Sequence, residues 1–258
     1  MIKINDESRE FKSTVLELCE NSPFGSRIYS YFTAYDNKYP FIDSWLCSED
    51  GRYTCVVCRY YNTVMICGEV TFEIAAFIAA LAPGEIICDG ASDIPLDMIW
   101  TKGEIMRCVK LNDKYCKNID KFAIADIKGS INDLKQIYNL MADGFEFDPR
   151  AGFDDFAVDI SHRIRHGTAN IYAVRLQDKI VSSLTVSANS PNCAVISGIV
   201  TSPGSRCHGM GSALIAFAVN KLLSQGKNVY LQREKKIDIY EKMGFTVCGI
   251  WKEGRCSR

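Results

Sequence analysis

Along residues 121–253 the apolar positions switch repeatedly between two spacings. Short β-branched or alternating runs at 122–126, 170–176, 180–187, 193–201, 228–232 and 245–251 predict strands. Between them, apolar residues recur every three or four positions. In 131–141 these are Ile131, Leu134, Ile137, Tyr138 and Met141, a helical stripe with Ser130 placed to cap it. Further helices are predicted over 153–166, 214–223 and 236–243. The order is strand, helix, helix, three strands, helix, strand, helix, strand. The first half gives a similar series: helices at 11–19 and 27–35, strands at 41–47, 53–60 and 63–67, a helix at 72–81 and a strand at 85–88. A polar stretch, 110–120, follows a strand-like run at 105–109 and marks the boundary between two units, 1–115 and 120–258. The shared order suggests a degenerate internal copy, although no shared residues support it.

The longest β-branched run leads into the most informative stretch. Ala194 to Val200 is followed by Thr201-Ser-Pro-Gly-Ser-Arg206-Cys207-His208-Gly209-Met210-Gly211-Ser212-Ala213 and then an apolar-faced helix. Gly209 and Gly211 permit a close turn that brings successive amides to one side, and the helix dipole adds positive potential there. Arg206 supplies a full charge. A strand, a glycine loop and a helix N-terminus together suit a phosphate or pyrophosphate. The P-loop spacing is absent, because four residues between glycines followed by Lys-Ser or Lys-Thr do not occur here. A dinucleotide fingerprint is excluded too, since its third glycine would fall on Leu214 and the loop lies late in the chain.

Arg206-x-x-Gly209-x-Gly211-Ser212-Ala213 resembles the acyl-CoA pyrophosphate loop of the GCN5-related N-acetyltransferases, the GNAT family. Ile239-Tyr240-Glu241-Lys242-Met243-Gly244-Phe245 is similar to that family's closing Leu-Tyr-x-x-x-Gly-Phe signature, about 30 residues downstream and one strand away. The element order over 121–253 is also the family's. The resemblance implies an α/β (α+β) fold with a mixed, mostly antiparallel sheet flanked by helices, in two tandem copies of which only the second holds a cofactor. The first half has only Gly68-Glu-Val-Thr71 between its third strand and helix, so a structural or substrate-shaping role is expected for it.

By the same resemblance the co-substrate is acetyl-CoA. Its pantetheine arm would pair with backbone groups of Ile199, Val200 and Thr201, and its pyrophosphate with the amides of Cys207, His208, Gly209, Met210, Gly211 and Ser212, beside Arg206. Gly198 fits a bulge that frees the strand edge, or is an incidental glycine of a core strand. Tyr240 takes the position of the general acid that protonates the leaving thiolate; the alternative is a tyrosine packed on the sheet. Many members carry a cofactor-contacting asparagine where this chain has Arg233, so that contact is altered or made by charge. No acidic residue stands on 194–200 or 228–232, where the family's base is often found. Glu146, Asp148, Asp154 and Asp155 flank the loop that shapes the acceptor pocket, or form a solvated acidic loop. Cys207, beside a helix N-terminus, reads as a backbone contact and oxidation site.

Composition narrows the picture. A net charge of −1 over 258 residues argues against dedicated nucleic-acid or membrane surfaces. The charge is uneven, with 13 basic and 18 acidic side chains in 1–125 and 17 and 13 afterwards, the basic half holding the phosphate loop. The twelve cysteines are dispersed through apolar runs, as at Cys67, Cys88, Cys108, Cys193 and Cys248, where they act as small hydrophobes. Cys55 and Cys58 lie three apart on a predicted strand and so on opposite faces, and His162 and His166, one helical turn apart, lack a third ligand; no metal is expected. The opening Met1-Ile-Lys-Ile-Asn-Asp has no signal-peptide core and no apolar run reaches about 18 residues, predicting a soluble, cytoplasmic protein.

The reading is an acetyl-CoA-dependent N-acetyltransferase acting on a small-molecule or peptide amine by direct attack. Two alternatives stay open, a non-catalytic CoA-responsive module and a transferase of another acyl group. A tandem aminoacyl transferase of the peptidoglycan-bridging type fits less well, because those proteins generally lack the Arg-x-x-Gly-x-Gly loop. The acceptor and the oligomeric state are not specified by the sequence.

Overall fold

A computed structural model describes residues 2–3, 9–19, 21–36, 38–145 and 152–256. The first half contains β1 (Ile2–Lys3), α1 (Arg9–Cys19), α2 (Pro23–Tyr35), β2 (Ile42–Glu49), β3 (Arg52–Tyr60), β4 (Thr63–Gly68), α3 (Phe72–Ala80), β5 (Glu85–Asp89) and β6 (Met98–Cys108). After the short α4 (Asp113–Cys116) come β7 (Ile124–Ile127), α5 (Ile131–Phe145), α6 (Phe153–Arg165), β8 (Asn170–Leu176), β9 (Lys179–Asn189) and β10 (Cys193–Thr201). The chain closes with α7 (Met210–Leu223), β11 (Asn228–Arg233), α8 (Ile239–Met243) and β12 (Phe245–Cys256). The predicted strands and helices are present in the predicted order, with ends moved by a few residues. Three differences have clear causes. Helix α2 starts at Pro23 rather than residue 27, because proline is accommodated in the first turn and Ser22 caps it through Phe24 N. Strand β6 begins seven residues early, its alternation masked by Lys102-Gly103-Glu104. The polar boundary carries a helical turn, capped by Asn112.

All twelve strands form one sheet, in the order β1-β2-β3-β4-β5-β12-β6-β11-β10-β9-β8-β7. The order is pseudo-symmetric about its centre, and there the two halves exchange their last strands. β12, from the second half, pairs with β5 of the first, and β6 of the first pairs with β11 of the second. β6 and β12 run antiparallel along their whole length, from Phe245↔Cys108 to Cys256↔Met98. Among the described residues only β4–β5 and β10–β11 are parallel pairs. The sheet is thus mixed and mostly antiparallel, flanked by helices, as the resemblance implies.

Helix α7 buries Leu214, Ala218 and Leu222 against Met106, Val229 and Leu231 on one face of the sheet. On the other face, α1 and α2 bury Phe24, Ile28 and Phe32 in a cluster that includes Val195 and Tyr230 of the second half. Helices α5 and α6 cover β8 and β9 with a cluster centred on Leu134, Ile137 and Ile160. First-half α2 therefore lies over strands of the second half, fixed by Ser26 Oγ donating to Cys193 O (3.2 Å) and Asn189 N donating to Ser30 Oγ (2.8 Å). Beside this contact, Tyr35 and Tyr60 hydroxyls donate to Asp159 Oδ1 at 2.7 and 2.8 Å. Arg163 pairs with the same carboxylate (2.7 Å) and sits 4.9 Å from the ring centroid of Tyr31. These bonds hold Asp159 below the usual carboxylate range despite burial, which opposes them.

Candidate active site

The site begins where two parallel strands part. β10 and β11 pair only over Cys193–Val195 with Asn228–Tyr230. Beyond that point β10 stays with β9 as far as Thr201↔Ser182, while β11 stays with β6 as far as Arg233↔Glu104. The strands diverge and leave an opening through the sheet. A bulge between Ser197 and Val200 assists, with Gly198 at φ +57°, a backbone conformation that favours glycine.

On the α7 face the opening meets a cavity of about 390 Å³. Its walls include Ile199 and Thr201 from β10, Arg206, Cys207 and Gly209 from the loop, and Met210, Gly211 and Ser212 from the first turn of α7. Tyr240 and Ile239 of α8 complete it. Cys207 (φ +65°) and Gly209 (φ +84°) both take the left-handed conformation, which turns the chain sharply into the helix. Among the described residues, no protein group accepts the backbone N–H of any residue from Cys207 to Ser212; the first amide of the helix to bond is Ala213 N, to Gly209 O at 2.9 Å. Six amides around a helix N-terminus are thus unclaimed, and five of their residues, all but His208, line the cavity with the dipole behind them. Arg206 is anchored by Nε donating to Thr201 O (3.1 Å), which holds its guanidinium at the rim. Adding a Cβ at Gly209 would meet nothing within 4 Å, whereas one at Gly211 would stand 3.5 Å from Thr201 Oγ1, on the cavity floor.

Tyr240 lies half-buried in this cavity, edge-on to Phe245 with ring centroids 6.1 Å apart. Burial pushes its phenol above the ordinary value, against a smaller opposing effect from the Arg233 charge. It therefore remains a proton donor through the neutral range. Eight of the eleven residues expected to hold the cofactor, and Tyr240, share this one cavity. Val200, His208 and Arg233 do not line it. Val200 is buried against α5 and its carbonyl accepts from Ser182 Oγ (3.0 Å). Arg233 is a strut: its guanidinium donates to Glu104 (2.6 Å), Glu241 (2.7 Å) and the Ile237 carbonyl (3.3 Å), tying β11 to β6 and α8. Its charge is paired with those two carboxylates.

On the α2 face the same opening leads to a second cavity of about 230 Å³. Ile196, Ser197 and Gln232 line it from the splayed strands, Trp251 and Glu253 from β12, and Arg27 and Ile87 from the first half. Sequence reasoning singled out none of these. The one local signal was Gly103 in β6, where a Cβ would stand 2.3 Å from Arg233 O and 2.7 Å from the Trp251 ring, a close approach that marks the neighbourhood. Glu253 is the carboxylate on this wall. Burial and the nearby Glu85 raise its pKa, and Arg255, which ion-pairs with it, opposes this.

The other candidates are placed elsewhere. His162 meets the Ala34 carbonyl (2.8 Å) and stacks on Tyr35, joining the contact between halves, while His166 meets the His162 carbonyl (2.9 Å) of its own helix. Cys58 packs in the core under α1 and α2 and Cys55 in the one on the opposite face, as strand geometry requires. Among the described residues no group of histidine, cysteine or carboxylate side chains is arranged to hold a metal, and no helix is long and apolar enough to cross a membrane. Glu146 and Asp148 lie outside the described residues; Asp154 and Asp155 stand in the first turn of α6.

Comparison with known proteins agrees with this geometry. No curated protein matches the chain. Among solved structures, a Novosphingobium aromaticivorans protein assigned to the GNAT family of acetyltransferases is 16% identical, with 93% of this chain and 99% of that one covered and a TM-score of 0.58. A tandem GNAT protein from the clavulanic acid biosynthesis pathway is 10% identical over 100% of this chain and 98% of its own, with a TM-score of 0.57. A Drosophila protein reaches a TM-score of 0.66 at 8% identity, covering 99% and 98%. These likenesses share the fold across nearly the whole chain, including the two-unit arrangement. The family model for the acetyltransferase (GNAT) family matches residues 134–245, the segment that holds the splayed strands, the amide loop and Tyr240. Residues 134–245 therefore belong to the GNAT acetyltransferase family.

Proposed function

We propose that the protein is an acetyl-CoA-dependent N-acetyltransferase whose cofactor enters on the α7 face and whose acceptor enters on the α2 face. The observation that carries this reading is the convergence of three features on one opening in the sheet. Six unclaimed amides lie at its rim, free strand edges line it, and Tyr240 stands beside it. The amides of Cys207 to Ser212, with Arg206 beside them, hold the pyrophosphate. The edge of β10 at Ile199 and Thr201 receives the pantetheine arm as an added strand would be received. Acetyl-CoA supplies the thioester carbonyl that a neutral amine attacks.

This chain's own groups then manage protons and position. The amine nitrogen forms its bond to the acetyl carbon as the carbon–sulfur bond breaks, and the Tyr240 hydroxyl gives its proton to the departing sulfur. The proton lost by the amine leaves through the α2-face cavity, where Glu253 is the carboxylate on the wall. The β10 bulge sets the height at which the thioester crosses the sheet, which brings the two cavities within reach of one bond.

A thiol-release assay with the full chain, acetyl-CoA or succinyl-CoA, and a panel of amines tests this directly. Amine-dependent release from acetyl-CoA is expected, with N-acetyl product detected by mass. Tight acetyl-CoA binding without release on any amine would instead establish a non-catalytic binding module, and a preference for succinyl-CoA would reassign the acyl group.

A further inference from the structure

The α2-face cavity has an unusual polar make-up for a place that must admit an amine. Arg27 projects from α2 into it and donates from Nη2 to Gln232 Oε1 at 2.7 Å. Its Nε is buried and has no protein acceptor, and no carboxylate among the described residues lies within ion-pair distance of it. Burial lowers its pKa, as does the like charge of Arg163, while Tyr31 and Glu253 oppose them; a guanidinium stays protonated. Two further buried donors on the same wall are also without acceptors, Gln232 Nε2 and Trp251 Nε1. Three orphan donors around a cationic group make a site for a negatively charged acceptor of hydrogen bonds, because leaving such groups unpaired is costly. The carboxylate on the wall, Glu253, ion-pairs with Arg255; its charge also acts on Arg27, but it satisfies none of the three orphan donors.

Size argues in the same direction. The cavity is about 230 Å³, a volume that suits a molecule of amino-acid size. A polycation would have to approach the Arg27 guanidinium. Resting on the acetyltransferase reading above, we propose that the acceptor is a small amine bearing a carboxylate, an amino acid or close analogue. Its carboxylate is held by Arg27, Gln232 and Trp251, and its nitrogen points into the strand opening. The first half of the chain thus selects the acceptor while the second binds the donor.

Two measurements on the full chain test this. The first compares kcat/KM for free amino acids, their carboxamides and the amines left by decarboxylation. The second measures binding of the N-acetyl amino acids, and of their carboxamides, to CoA-loaded protein by calorimetry, and needs no turnover. In each, the carboxylate form is expected to be favoured by roughly 10- to 100-fold, the worth of a charge-assisted hydrogen bond in a buried site. Arg27→Gln should remove that preference while leaving the Kd for CoA unchanged, and Arg27→Lys should restore part of it. Trp251→Phe, which keeps the ring and deletes the donor, should reduce the preference for the carboxylate form, and serves if the Arg27 variants fold poorly. Equal or better use of the carboxamide or decarboxylated amine overturns the proposal. So does failure of every carboxylate ligand to bind CoA-loaded protein. Carboxylate-dependent binding without acetylation of any amine would uphold this inference and refute the catalytic reading.

Discussion

Gly209 offers a test in which backbone conformation and space can be separated. It stands at φ +84° as the residue before the first turn of α7, and a Cβ there would touch nothing within 4 Å. Any penalty for a side chain therefore comes from the left-handed conformation alone. For an ordinary L residue that penalty is about 1–2 kcal/mol, and a β-branched residue lies at the upper end. Asparagine visits the region with little cost. If Gly209→Val keeps the loop shape, the strain appears as lost stability, about 2–8 °C in Tm for a chain of this size. If the loop relaxes, the amides of Cys207 to Ser212 no longer converge, and the same energy appears as an increase of about 5- to 30-fold in the Kd for CoA. Calorimetric titration with CoA and thermal melts on the same samples read both. Gly209→Asn should behave nearly as wild type in each. Equal loss with valine and asparagine would refute the conformational account, as would a valine variant unchanged in both measurements.

Two further outcomes follow from the geometry. Tyr240→Phe should lower kcat by about 10²- to 10⁴-fold with the Kd for acetyl-CoA nearly unchanged; because burial raises the Tyr240 pKa, the activity it supports should persist to alkaline pH and fall only above about 10, as a kcat–pH profile would record. Asp159→Asn should cost about 3 kcal/mol, since it leaves the buried Arg163 unpaired and weakens the bonds from Tyr35 and Tyr60. Its folded-state pKa is depressed, so the Asp159 contribution is full above the unfolded value near 3.9 and declines as pH falls through the lower folded value. The stability gap between wild type and variant, measured by denaturant melts, should hold from pH 5 to 8 and narrow below about pH 4.

What the sequence disclosed and what it hid divide along physical lines. Strands such as Cys193–Thr201 and the loop that follows were legible because their signals are local: β-branched runs, glycines at a required conformation, and helical spacing on α7. The Gly198 bulge was legible for the same reason. The α2-face cavity was not, because its residues come from α2, β5, β10, β11 and β12, and each looks ordinary in its own element. Arg27 sits on an amphipathic helix where an arginine draws no notice. Its meaning depends on α2 packing over strands some 170 positions further along the chain. The early part of β6 was hidden because Lys102-Gly103-Glu104 masks its alternation and its partner there, β12, is a strand of the second half. Arg233, read as a cofactor contact by analogy of position, turned out to have Glu104 from that same strand as its partner.

The exchange of central strands leads to a prediction about where the chain can be cut. The polar stretch 110–120 marks a boundary in sequence, yet it does not divide the sheet. A fragment starting at residue 118 would keep the amide loop, Tyr240 and the whole 134–245 segment. It would lose β6, and with it the antiparallel partner of β11 over Val229–Arg233. β11 would then be held only by its three-residue parallel pairing with β10, and Met106 and Cys108, both wholly buried, would leave a void under α7. Deleting a buried methionine side chain alone costs about 2–5 kcal/mol, and removal of the whole strand also bares the edges of β11 and β12 to aggregation. Such a fragment should be insoluble or melt far below the full chain. A fragment starting at residue 97 retains β6 and should be markedly more soluble and bind CoA, while lacking Arg27 and Ile87 and so any discrimination among acceptors. Expression of the two fragments, followed by thermal melts and CoA titration, separates the cases. A folded, CoA-binding 118–258 fragment would mean that the exchanged strand is dispensable, and that the second half is a self-sufficient domain.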